Sequence, residues 1–147
     1  MRSFVRSIAI AAGILLCAGV PYASAQIDDP VEFTTSFPFT VGDATLAAGT
    51  YTITPDDIEL AFLRLTGPHG SVFFQAHGAS APTRASKTEV VFKRYGGAYV
   101  LKSIWIAGSD TGAETLAAQG ERHAAMGQGP AGEQRVAAHL PVNARKD

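Results

Sequence analysis

An unbroken alternation of residue types between Val31 and Val41 constrains this fold more than any other feature of the sequence. Over these eleven residues, Val, Phe and Thr occupy the odd positions, and polar residues or Pro38 occupy the even ones. A period of two over this length is typical of a β-strand with one buried face. Because Pro38 has no N–H to donate, we expect an edge position or a local bulge there.

Further apolar segments follow, separated by residues that favour turns. Gly42 and Gly49 bracket a hairpin connection, and Gly96-Gly97 is the strongest hairpin signal in the chain. The longest loop covers residues 78–87. With turns at regular spacing and no helical pattern between them, we predict an all-β fold, a small antiparallel β-sandwich or barrel of about seven strands. The other segments predicted as strands are residues 50–54, 58–66, 71–77, 88–95, 98–106 and 114–116.

The C-terminal part of the chain has a different character. Residues 121–126 (ERHAAM) predict a short helix. From Gly127 onward the sequence holds Gly, Pro, Ala, Gln and charged residues, with almost no large apolar side chain. Such a composition cannot bury enough apolar surface to fold, so we predict a disordered or loosely attached tail over residues 127–147. One β-domain over residues 26–126 remains.

The N-terminal segment has the organisation of a secretory signal peptide. Two arginines precede an uncharged apolar run from Ile8 to Val20, and Ala23-Ser24-Ala25 provides the small residues of a cleavage site. The run has 13 residues, which is shorter than the roughly 20 that a spanning helix needs. We therefore expect removal of residues 1–25 and export through the general secretory route, to the periplasm or the extracellular space.

Charge and cysteine content limit the partners of the mature chain. Cys17, inside the predicted signal peptide, is the only cysteine, so the mature domain is predicted to be free of disulfides. Removal of residues 1–25 leaves 10 Lys and Arg against 13 Asp and Glu, a net charge of −3. Nucleic acids and anionic membranes both attract basic surfaces, so neither is predicted as a partner. No later apolar run approaches the length of a membrane span.

The residues that most often carry chemistry are dispersed along the sequence. The four histidines show no spacing typical of a metal site. The acidic doublets Asp28-Asp29 and Asp56-Asp57 point their side chains in opposite directions on an extended chain. Neither a nucleophile motif nor a phosphate-binding glycine loop is present in the sequence. We predict no catalytic residues, no metal and no cofactor. The histidines are His69, His77, His123 and His139.

The segment KRYGGAYVLKSIW, residues 93–105, is the best candidate for a ligand site. Aromatic and Arg side chains beside a hairpin are able to grip a sugar, a peptide or an apolar ligand. The favoured alternative is structural, because an aromatic stripe at strand spacing usually fills a core; alternation would place Tyr99, Leu101, Ser103 and Trp105 on one face. The candidate ligand-binding residues are Arg94, Tyr95, Tyr99 and Trp105.

Two blocks of sequence resemble a group of small exported bacterial proteins of acidobacterial type that has no assigned activity. The first is PF-x-VG-x3-L-x-AG-x-Y-x-I, from Pro38 to Ile53, and the second is F-x-RYG-x2-Y-x-L-x3-W, from Phe92 to Trp105. A short E-x-L followed by Glu121-Arg122 is similar to the C-terminal end of that group. The resemblance implies one exported all-β domain, and it implies no catalytic residues.

These observations predict a non-catalytic exported β-domain that binds a ligand or protein at the cell envelope, or stabilises an envelope assembly. The alternative is a periplasmic enzyme whose site is assembled by folding from dispersed residues. A short distance between His77 and a carboxylate inside a cleft would favour the enzyme. The residues of this alternative site are His77, Glu89, Arg94 and Tyr99.

Overall fold

The computed structural model describes residues 27–59, 61–116, 122, 126–127 and 132–141. The predicted signal peptide lies outside these residues, and the predicted helix at residues 121–126 lies mostly outside them, so both stay predictions. With a single cysteine in the chain, the fold has no intrachain disulfide. Among the described residues, no helix has the length and apolar character needed to cross a membrane.

Ten β-strands make up the described structure, and their hydrogen bonds join them into one sheet. Most of them coincide with the segments predicted from alternation and turn residues. The strands are β1 (Val31–Thr35), β2 (Phe39–Val41), β3 (Ala44–Leu46), β4 (Gly49–Pro55), β5 (Phe62–Gly67), β6 (Gly70–Ser80), β7 (Glu89–Tyr95), β8 (Ala98–Trp105), β9 (Thr111–Thr115) and β10 (Gly132–His139).

Eight of these strands close into an antiparallel barrel. The order runs β8-β7-β10-β1-β4-β5-β6-β9, and β9 returns to β8 through the pairs from Ser103–Glu114 to Trp105–Gly112. The hairpin of β2 and β3 attaches to the N-terminal part of β8, where Thr40 pairs with Val100 in parallel. The predicted all-β antiparallel class is confirmed, and of the two predicted architectures the structure has the barrel.

The alternating run from Val31 to Val41 is divided between two strands. β1 pairs with β4 and β10, whereas β2 pairs with β3 and β8. The chain changes direction at residues 36–38, where the Thr35 hydroxyl donates to the Phe37 carbonyl at 3.0 Å. Pro38 lies in this break, where the chain needs no ladder N–H. The period of two survives the break because both strands turn their odd positions to the interior.

Large side chains fill the barrel interior. Phe39 is central among the aromatic rings, with centroids 5.2 Å from Phe92 and 5.1 Å from Tyr51, both edge-on. An eight-stranded barrel is just wide enough for side chains to fill it, so this packing is the expected outcome for a Phe-rich interior. The largest fully buried side chains are Phe33, Phe39, Phe92, Ile53, Leu63, Leu65, Leu101, Ile104, Val31, Val41, Val90 and Val91.

The prediction of a loose tail is wrong for residues 132–139. These residues form β10, which pairs with β7 from Gly132–Arg94 to Ala137–Glu89 and with β1 at two positions. Only Val136 and Ala138 of this strand pack against the core. The main-chain hydrogen bonds of two neighbouring strands compensate for the missing apolar side chains, and a composition argument does not register them.

The start of β5 also differs from the prediction. The segment from Ile58 was predicted as strand, yet the ladder with β4 begins at Leu63, opposite Pro55. The Ile58 side chain is 88% exposed. The turn after Pro55 is closed by the amide of Asp56, which donates to the Phe62 carbonyl at 3.1 Å. The apolar run 58–66 therefore divides into an exposed loop and a strand, which periodicity alone does not separate.

Candidate functional site

A cleft of about 440 Å³ lies on the outer face of the barrel, between strands β7–β10 and the loop of residues 81–87. This volume is within the range of small-molecule sites. Its wall combines one indole ring with basic and acidic side chains in nearly equal number. The charged and aromatic lining residues are Arg84, Lys87, Glu89, Lys102, Trp105, Glu114, Glu133 and Arg135.

The loop over the cleft is fixed to the β8–β9 connection by main-chain hydrogen bonds. The amide of Ala85 donates to the Ser109 carbonyl at 2.8 Å, and the amide of Gly108 donates to the Ala85 carbonyl at 2.8 Å. The amide of Ala81 donates to the Asp110 carbonyl at 2.7 Å. Because these bonds fix the loop that covers the cleft, the cavity is preformed, which lowers the entropic cost of binding.

A β-bulge in β8 determines which side chains reach the cleft. Val91 pairs with Ser103, but the next residue, Phe92, pairs with Leu101, so Lys102 is the extra residue. Two consecutive residues, Lys102 and Ser103, therefore line the outer cleft between the core residues Leu101 and Ile104. Bulges redirect side chains in this way beside functional sites. The sequence prediction that Leu101, Ser103 and Trp105 share a face is wrong, because it assumed strict alternation.

Trp105 lies on the outer face of the barrel, where its indole packs across the backbone of Gly112. A Cβ atom at Gly112 would lie 2.7 Å from Cε3 of Trp105 and 2.4 Å from the Ile104 carbonyl oxygen. Only glycine therefore allows the ring to approach β9 this closely. The ring N–H donates to the Ser103 hydroxyl at 3.0 Å, which fixes the orientation of the indole. Trp105 is half-buried and forms part of the cleft wall.

Glu89 is the most deeply buried charged group of the cleft, with a relative exposure of 6%. Its Oε1 accepts a hydrogen bond from Nη1 of Arg135. Among the described residues, its Oε2 has no hydrogen-bond partner, and the Nζ of Lys87 lies 3.8 Å away. A buried carboxylate oxygen without a donor is costly, because its lost hydration is not replaced. Glu89 thus keeps one buried carboxylate oxygen in the cleft wall without a hydrogen-bond donor from the described residues.

The other end of the cleft has a compact ion-pair network. Lys102 donates from Nζ to Oε1 of Glu133, and Nη2 of Arg135 lies 3.4 Å from Oε2 of the same carboxylate. The hydrogen bond from Lys102 and the positive charges of Lys102 and Arg135 lower the pKa of Glu133 below its ordinary value of 4.5. These two cations are therefore engaged with acidic partners.

Glu114 is an acidic lining residue of the same cleft for which the described part of the chain provides no ion pair. It lies opposite Ser103 on β8 and opposite His77 on β6. Gly112, two residues earlier on the same face, lies opposite Trp105. The carboxylate of Glu114 and the indole of Trp105 are thus diagonal neighbours on the outer face of the sheet.

The structure separates the four residues predicted to bind a ligand. Arg94 and Tyr99 face each other near the β7–β8 turn, and the ring of Tyr99 stacks on Phe37 with centroids 4.0 Å apart. Tyr95 is buried on the opposite face of β7 from Arg94, since successive residues alternate. Of these four residues, Trp105, at the other end of β8, is the one that lines the cleft.

The residues of the predicted enzyme alternative are also dispersed. Glu89 and Arg94 are five residues apart on β7, so their side chains point to opposite faces of the sheet. His77 is exposed on β6, and in the described part of the chain no hydrogen bond or ion pair joins it to a carboxylate. The geometry that would favour the enzyme is therefore not formed by His77.

A second cleft of about 440 Å³ lies beside the β2–β3 hairpin and the β5–β6 turn. Tyr51 lines it and donates its hydroxyl to the Ala47 carbonyl at 2.6 Å. A Cβ atom at Gly67 would lie 2.3 Å from Cε1 of Tyr51, so glycine is needed under this ring. These contacts fix the connection between β3 and β4 and leave the hydroxyl engaged, so this cleft is explained by packing.

Among the described residues, no group of three or more His, Asp or Glu side chains is arranged to hold a metal ion. In the outer cleft, Glu133 is paired with Lys102. Glu114 lies on a different strand, β9, from Glu133 on β10.

Comparison of the chain with protein-family models, with curated proteins and with solved structures finds no match. The fold and the site therefore define the class by themselves: an eight-stranded antiparallel β-barrel with a filled interior and a charged cleft on its outer face. The resemblance to small exported bacterial proteins stays a prediction.

Proposed function

We propose that this protein is an exported, non-catalytic binding module of the cell envelope, and that the outer cleft is its binding site. The observation that carries the proposal is Glu89, a buried carboxylate of the cleft wall, one of whose oxygens has no hydrogen-bond donor among the described residues. A buried carboxylate oxygen without a hydrogen-bond donor lowers the stability of the fold. A bound ligand that donates a hydrogen bond to this oxygen would offset that cost, which is why such groups are common at functional sites.

The proposed mode of action is recognition by a preformed surface. The cleft offers an indole ring, a carboxylate oxygen that lacks a donor among the described residues, and a loop already fixed by hydrogen bonds. Sites of this kind bind through one aromatic contact and a few oriented polar groups. The filled barrel interior supports an external site over an internal one.

Export is the second component of the proposal. It is supported by the pattern of two arginines, an apolar run and a small-residue cleavage site before Gln26. Expression of the full-length chain in a bacterial host, followed by fractionation and N-terminal sequencing, tests it directly. We expect the protein in the periplasm or medium, beginning at Gln26. Recovery of an uncleaved chain in the cytoplasm would contradict export.

The binding component is tested with the processed protein immobilised and exposed to an envelope extract of the source organism. We expect a small molecule or protein, identified by mass spectrometry, to be retained by the wild type. Retention should be lost in the double variant Glu89→Gln/Trp105→Ala and kept in Glu59→Gln, which removes one exposed carboxylate outside the cleft. Equal retention by all three proteins, or none by the wild type, would contradict the cleft as a binding site.

A further inference from the structure

We propose that the outer cleft recognises an ammonium group that carries N–H donors, such as a primary amine of a peptide or small molecule, held over Trp105 between Glu89 and Glu114. This inference rests on the proposed binding function and names the chemical class of its ligand. Such a ligand must carry a positive charge and must also have N–H groups to donate. A cation without N–H groups does not meet this requirement.

Glu89 has an unused acceptor. Its Oε1 is occupied by Arg135, while Oε2 is buried and lacks a hydrogen-bond donor among the described residues. The Nζ of Lys87 lies 3.8 Å from Oε2, and the side chain of Lys87 is 66% exposed. A ligand N–H group would complete the hydrogen bonding of Oε2, and a charge-assisted bond to a carboxylate is among the stronger ones in proteins.

The indole has acidic neighbours on both adjacent strands. Trp105 is opposite Glu89 on β7 and opposite Gly112 on β9, and Glu114 follows two residues later on the same face. A cation over an indole face gains a further electrostatic attraction. The register therefore places Trp105 between an acidic residue on β7 and another on β9, an arrangement suited to a cation.

The charges of the cleft are unevenly distributed. Over the whole lining, four basic side chains accompany three carboxylates, and Lys102 and Arg135 are engaged with Glu133 and Glu89. Beside Trp105 the register places Glu89 directly opposite and Glu114 as the diagonal neighbour, and among the described residues Glu114 has no ion pair. That part of the cleft therefore suits a cation.

Trp105 provides a direct readout, because it is the only tryptophan of the chain. The probe is the capped tripeptide acetyl-Gly-Lys-Gly-amide, titrated into the full processed protein while tryptophan emission is recorded. We expect a saturable change in emission. The same peptide with trimethyllysine keeps the charge but lacks N–H donors, and we expect it to bind about tenfold more weakly.

Variants separate the role of each side chain. Glu89→Gln should weaken binding of the lysine peptide about tenfold or more, and Glu114→Gln by a smaller factor. Lys87→Met removes the competing cation, so we expect binding to tighten about two- to fivefold. Glu59→Gln is the matched control and should leave the affinity unchanged.

Several results would overturn the inference. They are the absence of a saturable response in the wild type at millimolar peptide, equal binding of the two peptides, or weaker binding by Lys87→Met. If Glu89→Gln fails to fold, the comparison of peptides on the wild type and the Lys87→Met variant still decides. Retention of an envelope ligand without any response to amines would refute the ammonium class while leaving the proposed function standing.

Discussion

The guanidinium of Arg135 on β10 donates a hydrogen bond to the buried carboxylate of Glu89 on β7. This contact connects the wall of the cleft to the strand that closes the barrel, since β10 fills the gap between β7 and β1. One ion pair therefore contributes both to the site and to the fold. Substitutions in β10 are therefore expected to affect the cleft, and substitutions in the cleft are expected to affect closure of the barrel.

Substitution of Arg135 tests this connection. Arg135→Met keeps an apolar stem on the strand but leaves Glu89 buried without its main donor. We expect the free energy of unfolding to fall by about 1–3 kcal/mol, since a buried charged group that loses its partner keeps its desolvation cost. Urea denaturation followed by circular dichroism measures the change.

Arg94→Met is the matched control for that experiment. Arg94 is exposed at the end of the same strand pair, so its replacement should change stability by less than about 0.5 kcal/mol. Equal effects of the two substitutions would show that the Arg135–Glu89 contact does not stabilise the fold.

Removal of β10 should have a much larger effect. A chain ending at residue 131 loses the ladders of β10 with both β7 and β1, and it exposes two strand edges. We expect a loss of at least about 3 kcal/mol, together with a tendency to associate through the open edges. Thermal unfolding and size-exclusion chromatography would show both effects. A melting temperature equal to that of the intact chain would mean that the strand is not docked.

The alternating strands were predictable because their odd or even positions carry the apolar side chains of the core. The strands Val31–Thr35 and Gly49–Pro55 are clear examples, with buried residues at every second position. β10 escaped prediction because its sequence, GEQRVAAH, holds only one large apolar residue. Its place is set by main-chain pairing with strands more than 30 residues away in the sequence, which a local pattern does not encode.

The site was less predictable than the fold. Trp105 was identified as a candidate, but the bulge at Lys102 turned it outward rather than into the core. Lys87, Glu114 and Arg135 were missed because they belong to a loop, a short strand and the segment predicted as tail. Gly112 is the sequence signal that would have helped to predict the position of Trp105. A glycine inside a strand often marks a place where another group approaches the backbone closely, and here that group is the indole ring.

The outward position of Trp105 predicts an unusual stability pattern for the only tryptophan in the chain. Trp105→Ala should cost about 1–2 kcal/mol, because a half-buried ring gives up only part of its transfer energy. Phe92→Ala, which empties a fully buried site, should cost about 3–5 kcal/mol. Circular dichroism is the suitable probe, since the first variant has no tryptophan emission. A larger loss for Trp105→Ala than for Phe92→Ala would place the indole in the core.

The lowered pKa of Glu133 predicts a pH-dependent contribution to stability. The folded state favours its charged form through Lys102 and Arg135, so the contribution is present above the ordinary pKa of 4.5 and is lost as the pH falls through the lowered folded-state pKa. Because the side chain is 37% exposed, solvent screening keeps the effect small. We expect Glu133→Gln to melt about 1–3 °C below the wild type at neutral pH. The two melting temperatures should converge as the pH is lowered below 4.5.

Glu59→Gln serves as the control, and its melting temperature should follow that of the wild type at every pH. If the difference in melting temperature between the wild type and Glu133→Gln stayed constant from neutral pH to below pH 4.5, the charge of Glu133 would not contribute to stability.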